Sequence, residues 1–349
     1  MPLLAEKLDL FTFNLINEKK MLTTEQISKL DLALHNPEVL IEITSVCNFA
    51  CTYCSSPFGE RKKAHMPMDL FIHIANQLPG LTKQNIRMHV DGEPTMHPNF
   101  AEMVQYLNSK DFGVSLATNG SLLDPAWLSL DIGYLISISL FEEDLQRRHK
   151  KMRFVEYIER IKTYIFEWLN SESKQTLALY VIYFDGYSSK TSEEEKQLQE
   201  NAIELFLSDI VASCSKSMDA KISGASSTIR KSNGACLSVF LSPVQKTGLY
   251  PKDGMWVDQT ATQTGFCDSP WRRLTVLQDG RVGYCCVDLS GATTFTAPDE
   301  IWSNSLEDLW YKHREIESVR NGFMNGLVPN DACGRCLAPC GNNTRHFVL

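Results

Sequence analysis

Three cysteines fall within eight residues of the segment TSVCNFACTYC, residues 44–54: Cys47, Cys51 and Cys54. Three soft thiolates on one short loop suit an iron–sulfur cluster or zinc. Zinc in a structural site closes its shell with a fourth protein ligand. A [4Fe-4S] cluster held by three cysteines instead leaves one iron open to another molecule.

A second constellation occupies the last third of the chain. Cys267 is followed after seventeen residues by Cys285, and the intervening TVLQDGRVGYCC reads as a hairpin turning at Asp279 and Gly280. Downstream, CGRC supplies Cys333 and Cys336, with Cys340 just beyond. Two paired thiol sources, one on a hairpin and one on a loop, make a four-thiolate site. Cys285 and Cys286 are neighbours on a strand and point to opposite faces, so only one of them ligates comfortably. Cys286, Cys340, Cys214 and Cys236 remain as spare thiols. They are either small buried hydrophobes or, for Cys286 and Cys340 above all, candidate hydrogen-atom donors to a substrate radical.

The elements that must position these residues alternate in type. EVLIEIT (38–44) is a buried strand running straight into the first cysteine group, and DLFIHIANQL places Leu70, Ile74 and Leu78 on one helical face. IRMHV (86–90) is a strand. PNFAEMVQYL then spaces Phe100, Met103, Val104 and Leu107 helically. GVSLATNG and YLISISL are further strands, and FVEYIERIKTYIFEWL is a helix with Phe154, Ile158, Ile161 and Ile165 as its stripe. TLALYVIYF (176–184) is strongly strand-like, Leu198, Ala202, Phe206 and Ile210 mark another helix, and DAKIS (219–223) is the sixth strand. This alternation implies parallel βαβ units in an α/β barrel or half-barrel, where chemistry gathers at the C-terminal ends of the strands. Residues 227–262, rich in Ser, Gly and Lys, read as an irregular connection.

The first cysteine spacing, with Tyr53 before the third thiol, resembles the CxxxCxφC signature of the radical S-adenosylmethionine (SAM) superfamily. Gly92-Glu93-Pro94 in VDGEPTMHP resembles that family's GGEP element, with Asp91 in place of the first glycine. Thr118, Asn119 and Gly120 stand where the family often has TNG. Ser139 corresponds to a serine near the SAM ribose or carboxylate, although Leu140 and Phe141 replace the acidic residue and glycine that often follow it. Arg153 sits where a SAM carboxylate partner is often found. The later pattern Cys267-x12-Gly280-x4-Cys285 and the closing CGRC resemble the SPASM and twitch extensions of the same superfamily.

The resemblance implies a partial (β/α)6 TIM-like barrel with a small C-terminal iron–sulfur, SPASM/twitch-like domain. The expected partition is an N-terminal extension 1–36, a core barrel 37–226, the connection 227–262 and an auxiliary-cluster domain 263–349. It further implies two [4Fe-4S] clusters. One, on Cys47, Cys51 and Cys54, chelates SAM at its open iron, with Tyr53, Gly92, Glu93, Pro94, Thr118, Asn119, Ser139 and Arg153 around the SAM. The other is an auxiliary cluster on Cys267, Cys285, Cys333 and Cys336, where the glycine spacing selects Cys285 over Cys286. The implied activity is reductive cleavage of SAM to a 5′-deoxyadenosyl radical that abstracts hydrogen from a substrate C–H bond. A flavodoxin- or ferredoxin-type protein would donate the electron.

Relatives with such extensions oxidise or epimerise sugars and aminocyclitols in natural-product biosynthesis, or crosslink and epimerise ribosomal peptides. Many peptide maturases carry a leader-binding module ahead of the barrel, and 46 residues precede Cys47 here. The expectation is therefore a dehydrogenase or epimerase acting on a sugar- or aminocyclitol-type small molecule, with a peptide maturase as the alternative.

Composition is consistent with this. The chain of 349 residues is 43% hydrophobic and 22% charged, an ordinary globular balance with room for a large core. Its net charge of −8 excludes a general nucleic-acid binder. No run reaches the roughly 18 apolar residues of a membrane span, and the N-terminus lacks a signal-peptide core. A cytoplasmic location follows, where disulfides are disfavoured and metal or catalytic duty best explains clustered cysteines among the eleven. From the cysteines alone, the competing reading is a non-enzymatic binding module stabilised by zinc.

Overall fold

The computed structural model describes residues 23–54, 56, 61–184, 193–244, 262–286, 288–337 and 344–345. In chain order the strands are β1 (Glu38–Ile41), β2 (Ile86–Arg87), β3 (Val114–Thr118), β4 (Ile132–Ile138), β5 (Thr176–Phe184), β6 (Met218–Lys221), β7 (Thr228–Lys231), β8 (Cys236–Val244), β9 (Phe266–Cys267), β10 (Arg273–Val276), β11 (Val282–Gly283) and β12 (Thr344–Arg345). The helices that matter here are α1 (Thr24–Leu34), α2 (Met68–Ala75), α3 (Phe100–Asn108), α4 (Glu142–Gln146), α5 (Phe154–Asn170), α6 (Glu193–Ala212) and, near the C-terminus, α7 (Asp331–Leu337). Among the described residues no helix is long and apolar enough to cross a membrane.

The chain forms two compact units. One comprises Met1–Ile43, Phe58–Val90 and Gly248–Leu349, the other Thr44–Pro57 and Asp91–Thr247. In the first unit the strand order is β11-β10-β1-β2. β1 runs parallel to β10 and to β2, while β10 and β11 form the expected antiparallel hairpin. Gly280 closes that hairpin at φ +90°, and an added Cβ there would lie 2.8 Å from the Pro298 carbonyl oxygen. Arg61 braces the unit by donating to both carboxylate oxygens of the fully buried Glu42 and to the Leu289 carbonyl. A charge taken out of water in this way persists only when it is paired. Ile27 and Leu30 of α1 pack with Phe266, Trp271, Phe323, Met324 and Leu337 in one apolar cluster, against which Cys267 and Cys333 also rest.

In the second unit the order is β3-β4-β5-β8-β7-β6. β3, β4, β5 and β8 are mutually parallel, and β7 and β6 add an antiparallel edge. This corrects the sequence reading of the sixth strand. DAKIS lies on the antiparallel edge, and the strand that extends the parallel run is Cys236–Val244, inside the stretch expected to be an irregular connection. Two helical stripes also need correction. On α3, Phe100, Met103, Val104 and Leu107 are all buried, as expected. On α5 the buried face is Tyr157, Ile161, Tyr164, Ile165, Trp168 and Leu169, rotated from the expected stripe toward the aromatic residues. On α6 Leu198 is exposed, and Gln199, Ile203, Phe206, Leu207 and Ile210 face inward. Lys231 of β7 ends α5 by donating to the carbonyls of Trp168, Ser171 and Ser173, a cation at the negative end of a helix.

Candidate active site

The loop carrying Cys47, Cys51 and Cys54 belongs wholly to the second unit and is held along its length by that unit's own groups. At its entrance the Glu93 backbone N–H donates to the Val46 carbonyl at 2.8 Å. Gly92, just before it, has φ +76°, and a Cβ there would meet the Thr44 oxygen at 2.6 Å and the Val46 oxygen at 2.8 Å. Only glycine permits this left-handed turn at such close approach. In the middle of the loop, Asn48 donates to the Ser121 hydroxyl (2.8 Å) and accepts from the Asn119 side chain (2.9 Å). Further along, the N–H groups of Ala50 and Thr52 donate to the carbonyls of Arg148 and Arg147, both at 3.0 Å.

Glu93 is the hub beneath this loop. Its carboxylate is buried and accepts from the Thr95 and Thr118 hydroxyls, at 2.6 and 2.7 Å, and from the backbone N–H of Thr95 and Asn119. Burial raises its pKa, and the hydrogen bonds from Thr95, Asn119 and Thr118 oppose that rise. Asp91, in place of the family glycine, accepts from the Gly92 N–H at 2.7 Å and so stiffens the same turn. Pro94 begins the short helical turn after Glu93, which fixes φ where the chain leaves the site.

Around the thiols, backbone N–H groups point at sulfur: Phe49 N–H at Cys47 and Ser56 N–H at Cys54, each 3.4 Å away. Burial pushes the Cys47 thiol up to about 12, and Glu93, Cys51 and Cys54 add to the rise. The Cys47 sulfur therefore lies within electrostatic range of both Cys51 and Cys54. Tyr53 is raised by burial and by contact with Cys51, with Arg148 opposing. Arg148 is almost fully buried. It donates to the Ser139 hydroxyl (3.0 Å) and the Ser137 carbonyl (2.6 Å), with its guanidinium 5.2 Å from the centre of the Phe49 ring. Ser139, at the end of β4, also donates to the Ile182 carbonyl. The Tyr157 hydroxyl donates to the Asn119 carbonyl from the first turn of α5.

Of the residues expected around the SAM, Tyr53, Gly92, Glu93, Pro94, Thr118, Asn119 and Ser139 are brought together in this unit. Arg153 is not. Its side chain is 77% exposed and paired with Glu156 at the start of α5. Arg148 is the arginine that enters the site. Sequence reasoning also missed Asn48, Tyr157 and Thr95, although Thr95 directly follows the Gly-Glu-Pro element and was the most accessible of these.

The second cysteine set belongs to the first unit. Burial raises Cys267, with Asp268, Cys333 and Cys336 adding to it, and burial pushes Cys333 up to about 11, with Cys336 contributing. The Tyr284 hydroxyl lies 3.6 Å from the Cys333 sulfur and within electrostatic reach of Cys285. Cys286 interacts instead with Arg273. Cys340 lies outside the described residues. Cys214 donates to the Ile210 carbonyl at the end of α6, and Cys236 lies on β8 near Ser238. Among the described residues no three His, Cys, Asp or Glu side chains already converge on one ion-sized point. What fits an iron–sulfur cluster is the donor chemistry, thiols grouped without disulfide partners and, on the first loop, amide groups aimed at sulfur.

Residues 41–165 match the family model described as the radical SAM superfamily. Over 86 residues, 24% of each chain, the sequence is 38% identical to a tungsten-containing aldehyde ferredoxin oxidoreductase cofactor-modifying protein of Pyrococcus furiosus. Over 84 residues it is 32% identical to the mycofactocin maturase MftC of Mycobacterium ulcerans, covering 24% of this chain and 22% of that one. The matched stretch thus spans about a quarter of these relatives' own length. Among solved structures, Streptococcus suis SuiB bound to S-adenosylmethionine matches at TM-score 0.51 and 13% identity, over 85% of this chain and 71% of that one. This is a likeness of fold, and it agrees with the α/β partial-barrel class.

Proposed function

We propose that this chain is a radical SAM enzyme, a reading supported by the match of residues 41–165 to that superfamily's model, and that Cys47, Cys51 and Cys54 hold a [4Fe-4S] cluster with SAM at its open iron. The observation that carries this reading is the bracing of the cysteine loop by Glu93, Asn119 and Arg148, which fixes where three sulfurs are presented. When bound, the pair supplies a 5′-deoxyadenosyl radical able to take hydrogen from an unactivated C–H bond. Gly92 and Glu93 would shape the turn on the side of the SAM amino group, and the buried Arg148, which Arg153 does not replace, would support the site from behind by holding Ser139 and the Phe49 ring in place. Cys267, Cys285, Cys333 and Cys336 hold the auxiliary [4Fe-4S] cluster, and the nearness of Cys285 to Tyr284, whose hydroxyl lies 3.6 Å from the Cys333 sulfur, supports Cys285 as the ligand. The electron donor is a flavodoxin- or ferredoxin-type protein.

For the substrate, the support is one face of the second unit's sheet. The register aligns Ala117, Leu135, Ala178 and Ser238 in one row and Ser137, Tyr180 and Phe240 in the next, all at least partly accessible. The rings of Tyr180 and Phe240 lie side by side at a 30° tilt with centres 5.0 Å apart. Hydroxyls beside an aromatic platform, with no charged side chain among these positions, suit a neutral polyhydroxylated ring better than an aminocyclitol ammonium. The function is accordingly oxidation at a carbinol carbon of a sugar-type molecule. Peptide maturation is the second reading, supported by the identity to MftC.

Protein purified anaerobically is expected to be brown, to carry about eight irons per chain and to convert SAM to 5′-deoxyadenosine on reduction. A colourless preparation holding zinc and little iron would defeat this function in favour of a zinc-stabilised binding module. Product formed in deuterium oxide is expected to carry no deuterium at the reacting carbon. Deuterium there would mean epimerisation, with a thiol such as Cys286 or Cys340 returning hydrogen.

A further inference from the structure

Tyr284 is buried beside the second cysteine set, where a phenol must find hydrogen-bond partners. Two lie within reach, Asn330 and Cys333, and their arrangement decides which way the phenol proton points. Asn330 precedes α7, the helix that carries Cys333 and Cys336. Its side-chain oxygen accepts from the Cys333 N–H at 2.9 Å, capping the helix. That role commits the other end of the amide, so its NH2 group is the end that faces Tyr284 and donates to the phenol oxygen at 3.2 Å. With its oxygen serving as acceptor, the phenol has its own proton left for the Cys333 sulfur, 3.6 Å away. One asparagine therefore fixes both the helix that presents the thiol and the direction of a hydrogen bond to it.

We infer that Tyr284, oriented by Asn330, is a positioning residue that donates a hydrogen bond to the Cys333 thiolate and raises the reduction potential of the auxiliary cluster. The inference rests on the reading of Cys267, Cys285, Cys333 and Cys336 as cluster ligands. Its physical basis is that reduction adds negative charge to the cluster and its sulfurs, and a donor aimed at a sulfur stabilises the more negative state. The sequence places this tyrosine directly before Cys285, so a residue next to one ligand, just past the end of β11, reaches across to another ligand's helix.

The test is EPR-monitored potentiometry on the anaerobically purified full chain and on Tyr284→Phe, which keeps the ring and removes only the hydroxyl. The auxiliary potential is expected to fall in the variant, corresponding to about a tenfold change in the reduction equilibrium, about 59 mV for a one-electron couple. Pulsed EPR in deuterium oxide supplies a readout that packing alone does not move. The deuteron coupling contributed by the Tyr284 hydroxyl is expected in the wild type and lost from Tyr284→Phe, while that of the Ser269 N–H on Cys267 remains in both. With about eight irons per chain in both proteins, an unchanged potential and an unchanged deuteron coupling would overturn the hydrogen bond alone. A wild-type chain holding about four irons, all lost when Cys47, Cys51 and Cys54 are replaced, would overturn the auxiliary cluster itself and this inference with it.

Discussion

Replacing Cys47, Cys51 and Cys54 together with Ala is expected to halve the iron content, from about eight to about four per chain, and to abolish formation of 5′-deoxyadenosine. The loop should keep its place in this variant. Its main supports are the Glu93 N–H on Val46, the Asn48 amide between Asn119 and Ser121, and the Arg147 and Arg148 carbonyls on Thr52 and Ala50, and the thiol side chains add only the weak N–H contacts of Phe49 and Ser56 to sulfur. The loss is therefore chemical rather than structural, and unfolding in urea should stay near the wild-type midpoint when the two proteins are compared without iron. The remaining irons report on the second set, because Cys267, Cys333 and Cys336 belong to the other compact unit. SAM cleavage surviving in the triple variant would show that the catalytic cluster is elsewhere.

Gly92→Ala is expected to cost about 3 kcal/mol or more and to remove activity with it. Two penalties combine at this position. The backbone at φ +76° is one that an alanine adopts only under strain, and the new Cβ would press on three backbone atoms of residues 44–46 at 2.6 to 2.8 Å. Backbone cannot swing aside as a flexible side chain can, so the turn or the cysteine loop must move. Gly234→Ala is the matched control, with a similar φ of +89° and open space around it. It should pay only the conformational part, about 1 kcal/mol. Urea denaturation of the two variants separates strain from collision. Equal losses in both would mean that the close approach of Gly92 to residues 44–46 is not maintained in solution.

Cys47, Cys51 and Cys54 are legible as one group because they fall within eight residues, whereas the second set is spread from Cys267 to Cys336 and is joined only by the hairpin and CGRC pattern. The helix over Phe100–Asn108 was legible for a related reason, since four plain hydrophobes at helical spacing leave one solution for the buried face. The stripe of α5 was harder. Its buried face is made by Tyr157, Tyr164 and Trp168, whose polar tips hide an apolar body, so counting isoleucines rotated the helix. β8 was missed because the serines of CLSVFLSPV resemble a loop in composition, although Leu237 and Val239 alternate in burial with Cys236 and Ser238 as a half-buried strand must. Arg148 and Arg153 lie in one cationic run, RRHKKMR. Sequence cannot tell which member is drawn inward, because the choice depends on where α4 ends and on the Phe49 ring that covers the guanidinium.

One feature at the far edge of the second unit bears on survival rather than chemistry. β8 is nine residues long and carries no charge, a segment whose exposed edge would invite pairing with other chains. β7 pairs with its first half, and Pro243, which has no N–H to offer a stranger, sits in the second. The strand that ends up outermost, β6, has four residues, includes Asp219 and Lys221, and is largely exposed. The hairpin thus moves the sheet's outer edge from an uncharged, apolar strand to a short and charged one. Lys231 pins that guard to the end of α5, so the protein's defence against aggregation is anchored to the same helix whose first turn supplies Tyr157 to the active site.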